Sequence, residues 1–221
     1  MIQPDARSRL TADDVALLLR WSWGEAVPRE EVDLWLEAED LDELLDRPEL
    51  VERLQTAPVP GPSPSLFFYV LVRHSLLSRG IDDRRVADYC AALLREFGLR
   101  DRAQRVAPID DHRHGYLVDI LADVAASQGE RQFKVLVHLG NYALWMAGIF
   151  PEWIEARRFR KGGPDLSYYD SLGARGFSEA SDHWLASRVG LEDILRAAGD
   201  QFGGVRSALN EVSDRLNLRA A

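Results

Sequence analysis

Apolar side chains recur along this chain at intervals of three and four residues, the period of helices that bury one face. The first such helix begins after Thr11, where Thr11 and Asp14 make a capping-box pair ahead of VALLLRW, and it stops at Gly24. Pro28 opens a second, REEVDLWLEAEDLDELLDR, with Val32, Trp35, Leu36, Leu41, Leu44 and Leu45 near one face and an acidic face opposite. Pro48 restarts a short helix through Gln55. Four prolines in the nine residues from Ala57 to Ser65 then break the pattern with a linker or strap. Helices are expected from Ser65 to Gly80, from Asp82 to Gly98, and again from Asp110 in DDHRHGYLVDILADVAASQG. The most apolar run, Phe133 to Phe150, comes next. After it stand Pro151 to Lys161, a Gly-Gly-Pro loop, one long helix from Leu166 to Val189, and two last helices parted by Gly203-Gly204.

No alternating strand, hairpin turn or repeat period interrupts this series. The fold class expected is therefore all-α, a multi-helix bundle of about nine or ten helices around a central buried helix at about 131–150. Residues 1–56 read as an acidic helical N-terminal lobe, 57–65 as a Pro-rich linker and 66–221 as the main helical domain.

Two faces of the central run carry information. Lys134, His138 and Asn141 lie at i, i+4 and i+7 and make one polar stripe, facing either solvent or an internal pocket. Gly140, Ala143 and Ala147 make a small-residue face, and Gly173, Gly176 and Ala180 make another downstream. A helix-interior glycine costs about 1 kcal/mol relative to alanine. Paired small faces are a reason to tolerate it, so these two helices are expected to cross in contact.

Composition narrows the function. Acidic side chains number 36 against 27 basic ones, a net charge of −9, which argues against a general binder of nucleic acid or anionic membrane. The apolar run holds Lys, His and Asn, and mean hydropathy over the chain is −0.23, so no membrane span is expected. The single Cys90 sits inside a helical pattern and pairs with no other cysteine of the chain. The opening residues carry no signal-peptide pattern, and the expected setting is cytoplasmic.

Nucleotide-loop, zincin, nucleophile-elbow and paired-cysteine motifs are absent, so no motif names a reaction. Three arrangements have ligand chemistry. His112, Asp119 and Asp123, beside Asp110, Asp111 and His114, combine imidazole and carboxylate donors for a divalent metal. Glu179 and His183 stand at i, i+4, although helical di-iron sites use an i, i+3 pair. His138, Asn141, Tyr142, Trp145, Tyr169 and His183 would line an aromatic pocket for haem or another planar ligand if the two small-residue helices cross. Arg157, Arg158, Arg160 and Lys161, ahead of Gly-Gly-Pro, could grip a phosphate or a partner's acidic face, but the reading preferred is the cationic end of a helix.

At Leu139–Glu152, LGNYALWMAGIFPE, followed by SYYDSLGARGF at Ser167–Phe177, the chain resembles a group of uncharacterised bacterial helical proteins. These carry an L-G-x-x-x-L-x-x-x-G-x-F-P-E segment and then Y-Y-x-x-x-G. The resemblance implies an all-helical bacterial protein and brings no activity, ligand set or site role. The function expected is a non-enzymatic interaction or self-association module without a cofactor, with a protein or a second copy as partner. The alternative is a metal- or haem-dependent helical enzyme with a pocket beside the central helix.

Overall fold

The computed structural model describes residues 1–24, 28–37, 40–56, 61–99 and 101–216. Among them the secondary structure is entirely helical: thirteen α-helices and two 3₁₀ turns. That exceeds the nine or ten expected, in part because two long periodic stretches are each broken once. The acidic stretch divides into α2 (Arg29–Glu37) and α3 (Asp40–Leu45), and the stretch from Leu166 divides into α10 (Leu166–Ser181) and α11 (Trp184–Arg188).

The chain forms two compact units, one of Pro4–Arg95 and one of Met1–Gln3 with Glu96–Ala221. The first holds α1 (Ala12–Trp23), α2, α3, α4 (Glu49–Gln55), α5 (Pro64–Leu77) and α6 (Arg84–Phe97) up to Arg95. It reaches past the proline-rich stretch, whose residues 57–60 lie outside the described ones. Polar ties join the two sides of that stretch. Asp14, capped in the expected box with Thr11, also accepts from the Ser63 N–H at 2.8 Å. Arg73, 1% exposed, donates to both oxygens of Asp46 at 2.7 and 2.9 Å. Ser63 caps α5, two residues before the expected Ser65, with Pro64 in the first turn.

In the second unit α8 (Gly129–Ile149) is central, touching α7 (Leu117–Ala126), α9 (Pro151–Lys161), α10, α11 and α13 (Phe202–Arg215). The expected small-residue crossing is present. A Cβ on Gly176 would stand 2.9 Å from the Gly140 nitrogen and 3.0 Å from the Leu136 oxygen, so the α8 and α10 backbones meet there. A Cβ on Gly140 would strike the Phe177 ring. On the far side of α10 lies α12 (Glu192–Asp200).

Pro151 follows α8 and lacks the N–H that would continue its ladder. The chain bends by 90° into α9. The carbonyls released at the bend are taken by α13: Asn210 Nδ2 donates to Ala147 and Gly148 at 2.9 and 2.7 Å, and Ser213 Oγ to Ile149 at 3.0 Å. No single described helix is long and apolar enough to cross a membrane; α8 and α9 reach that composition only as the bent pair.

Candidate functional site

One expected helix start is corrected by the structure, and the correction shapes the site. α7 begins at Leu117, not near Asp110, and residues 112–115 are irregular. Tyr116 is the N-cap, its N–H bonded to Asp119 at 3.1 Å. His112 and Tyr116 therefore lie outside the helix that carries Asp119 and Asp123. The cause is His114, which is fully buried while its N–H donates to the Gln104 oxygen at 2.7 Å. That bond pins the strand of loop inward and denies it helical geometry.

A buried polar cluster results. Asp123 Oδ2 lies 3.1 Å from His114 Nε2 and 2.5 Å from an Arg131 nitrogen, while its Oδ1 accepts from Ser127 at 2.8 Å. Burial opposes ionisation of Asp123, but the hydrogen bonds from Arg131 and Ser127 outweigh it and hold the carboxyl below its ordinary range. With Asp123 ionised, His114 must donate through Nε2–H, leaving Nδ1 as the lone-pair nitrogen. That nitrogen and His138 Nε2 are buried without a hydrogen-bond partner among the described residues. The two rings lie 5.9 Å apart, and His112 packs on His114 at 4.7 Å. Burial, helped by the charges of His114, Arg102 and Arg131, drives the His138 pKa down to about 3.

The candidate metal set is thus dispersed into structural work. Asp119 caps α7, Asp123 pairs with Arg131 and His114, and His112 packs edge-on against His114. Among the described residues no group of three His, Cys, Asp or Glu side chains is arranged to hold a metal ion. Of the six aromatic-pocket candidates, His138 and Tyr142 stay together, their ring centres 6.2 Å apart, and Tyr169 neighbours Tyr142, while Trp145 and His183 take other partners. His138, Asn141 and Tyr142 are buried on α8, and Trp145 packs against Phe97 and Phe150. His183 caps α11 through Nδ1 and stacks on Phe133 at 5.3 Å. The break before α11 also parts His183 from Glu179, which pairs with Arg175 at 2.6 Å, and leaves Trp184 57% exposed.

Of the six, Tyr169 lines a cavity, and it leads to the more developed site. Two adjoining hollows open where the start of α7, the length of α9 and the start of α10 meet. One, of about 310 Å³, is lined by Tyr116, Leu117, Val118, Pro164, Tyr168 and Tyr169 together with Arg157. The other, of about 220 Å³, is lined by Tyr116, Trp153, Arg157, Arg160 and Lys161. Arg157 divides them, its guanidinium 4.4 Å from the centre of the Tyr116 ring and 5.2 Å from that of Trp153. Gly163 lies close against the Arg157 side chain: a Cβ there would be 3.3 Å from its Cγ. Behind the wall, Tyr142 donates its hydroxyl to the Gly115 oxygen at 2.9 Å. Burial first, then the neighbouring Tyr169, pushes the Tyr142 pKa up to about 12, so the hydroxyl stays a donor.

Arg157, Arg160 and Lys161 form no ion pair with a carboxylate among the described residues, whereas Arg158 on the same helix pairs with Glu155 at 3.5 Å. The sequence held part of this signal. Trp153 and Arg157 are i, i+4, as are Arg157 and Lys161, so one face of α9 repeats ring and cation. Tyr116 was not legible as a partner, since the loop that carries it reads as helix. No family model, curated protein or solved structure matches the chain.

Proposed function

We propose that this protein is a non-enzymatic interaction module that receives an acidic protein segment in the Arg157 cleft. The observation that carries this reading is the coincidence of three cations lacking carboxylate partners with two aromatic-walled hollows, in a chain of net charge −9. Arginine and aromatic rings are the residues on which protein interfaces concentrate binding energy. In the cleft lining Trp153 is 44% and Tyr168 40% exposed, apolar area that a partner would cover. Among the described residues the lining has no carboxylate, imidazole, thiol or serine; its polar groups include three tyrosine hydroxyls, two guanidiniums and the Lys161 amine, a set that favours holding an anionic partner. Nucleic acid is the less suitable partner because the molecule as a whole repels a polyanion. The setting proposed with this function, the bacterial cytoplasm, rests on the sequence alone.

Placing a photo-crosslinking amino acid at Tyr168, in the cleft lining, tests the reading in cells. The expected result is a discrete covalent adduct that maps to an acidic, apolar-bearing protein segment. Arg160→Ala with Lys161→Ala should weaken that association by about tenfold, or about 1.4 kcal/mol. Adducts no different from those of the same probe at Val189, on α11, would overturn it.

A further inference from the structure

The N-terminal unit carries most of the acid excess, 18 acidic against 11 basic side chains over residues 4–95. On α2, Leu34 is 72% exposed, an apolar side chain standing out from a charged helix. Glu30 and Glu31 precede it by four and three residues, which puts both on Leu34's side of the helix, one turn away. Both are exposed, and neither pairs with a cation among the described residues; Arg29 is turned instead toward Asp33 at 3.5 Å and Asp13 at 3.8 Å. This is the complement of the cleft: an apolar knob flanked by two uncompensated carboxylates, against an apolar hollow flanked by three uncompensated cations.

We infer that the occupant of the Arg157 cleft is the α2 face of a second copy of this chain. Leu34 of one copy enters the hollow of about 310 Å³ between Tyr116, Pro164, Tyr168 and Tyr169 of the other. Glu30 and Glu31 then lie against Arg157, Arg160 and Lys161. The hollow is roomy for one leucine, and the aromatic rim closes around its base. Each chain carries both surfaces, so two copies either exchange the contact reciprocally as an isologous pair or pass it head to tail along a chain. One such contact is small by the standard of permanent interfaces, so the association is reversible and concentration-dependent. The inference rests on the reading of the cleft as the binding site.

Sedimentation velocity of the purified full-length protein over a range of concentrations tests it. The wild type should associate at about 0.01 M salt and dissociate at about 1 M, where the screening length falls from roughly 30 to 3 Å. Leu34→Ser should weaken association about tenfold without changing any charge. Arg160→Glu with Lys161→Glu should leave a monomer, and so should Glu30→Arg with Glu31→Arg; all four positions are exposed, so the fold tolerates the change. Mixed in equal amounts, the two charge-reversed proteins should associate again, because the reversed knob of one matches the reversed cleft of the other. That rescue is the result a loss of folding cannot imitate. A wild type that stays monomeric at low salt, or a mixture that shows no rescue, overturns the second copy as occupant. If adducts at Tyr168 still map to a different acidic protein, the cleft reading survives that failure; if they vanish as well, both fail.

Discussion

His138 shows how one side chain's setting becomes a property of the whole protein. Its imidazole is 3% exposed, Nε2 has no partner among the described residues, and the nearest charged groups are mostly cationic. A folded-state pKa of about 3 against an ordinary 6.5 means that the unfolded chain takes up the proton first. This contribution to stability is complete above pH 6.5 and is lost as pH falls toward 3. At about 1.4 kcal/mol per unit, lowering the pH from 6.5 to 5 should remove about 2 kcal/mol. Urea unfolding at the two pH values measures it, and His138→Leu should flatten most of that slope. His114, lowered mainly by burial and only partly restored by Asp123, adds to the slope with the same sign.

Between elements, close approach and capping decide the geometry. Gly176→Ala would press a methyl group onto the α8 backbone, where neither atom has a flexible end to move. Overpacking of that kind costs about 1–3 kcal/mol, so the urea midpoint should fall accordingly. Gly24→Ala, with nothing within 4 Å but a φ of +80°, should cost only about 1 kcal/mol through backbone strain. If the two substitutions cost the same, the α8–α10 contact is looser than described. Asn210→Leu removes the donor for the Ala147 and Gly148 carbonyls and should lose about 1–3 kcal/mol. Because the bend at Pro151 aims α9, the same variant should also change Trp153 fluorescence before unfolding begins. An unchanged native spectrum would mean that the bend holds without the cap.

Over the whole molecule, each of the two units has its own buried centre. In residues 4–95 it includes Leu18, Leu19, Leu45, Leu66, Tyr69 and Cys90; in the other unit it includes Phe133, Leu144, Phe177, Leu195 and Leu209. Hydrogen exchange read peptide by peptide should therefore separate perturbations. Arg73→Met, which leaves Asp46 without its bidentate partner, should lower protection in α1, α3 and α5. Gly176→Ala should lower it in α8, α10 and α12. A uniform loss in both units from either change would show one cooperative core in place of two.

Local pattern made much of this legible. Helix type, the central run, the Thr11–Asp14 cap and the meeting of Gly140 with Gly176 depend on residues a few positions apart or on matching small-residue periods, and those are written along the chain. Tertiary structure decided what required distant segments to converge. His114 enters the interior because Gln104 offers it a carbonyl, so a stretch with helical spacing becomes the irregular wall of a cleft. Arg157 becomes a divider between two hollows because a 90° bend, a Gly163 contact and Tyr116 from another element all meet at its side chain. Side-chain periodicity records which face of a helix is apolar; it does not record which other segment arrives there. The cations of α9 are legible in the sequence as a helix end or as a grip for an acidic partner face; the aromatic hollows that set three of them apart come only from what the fold places beside them.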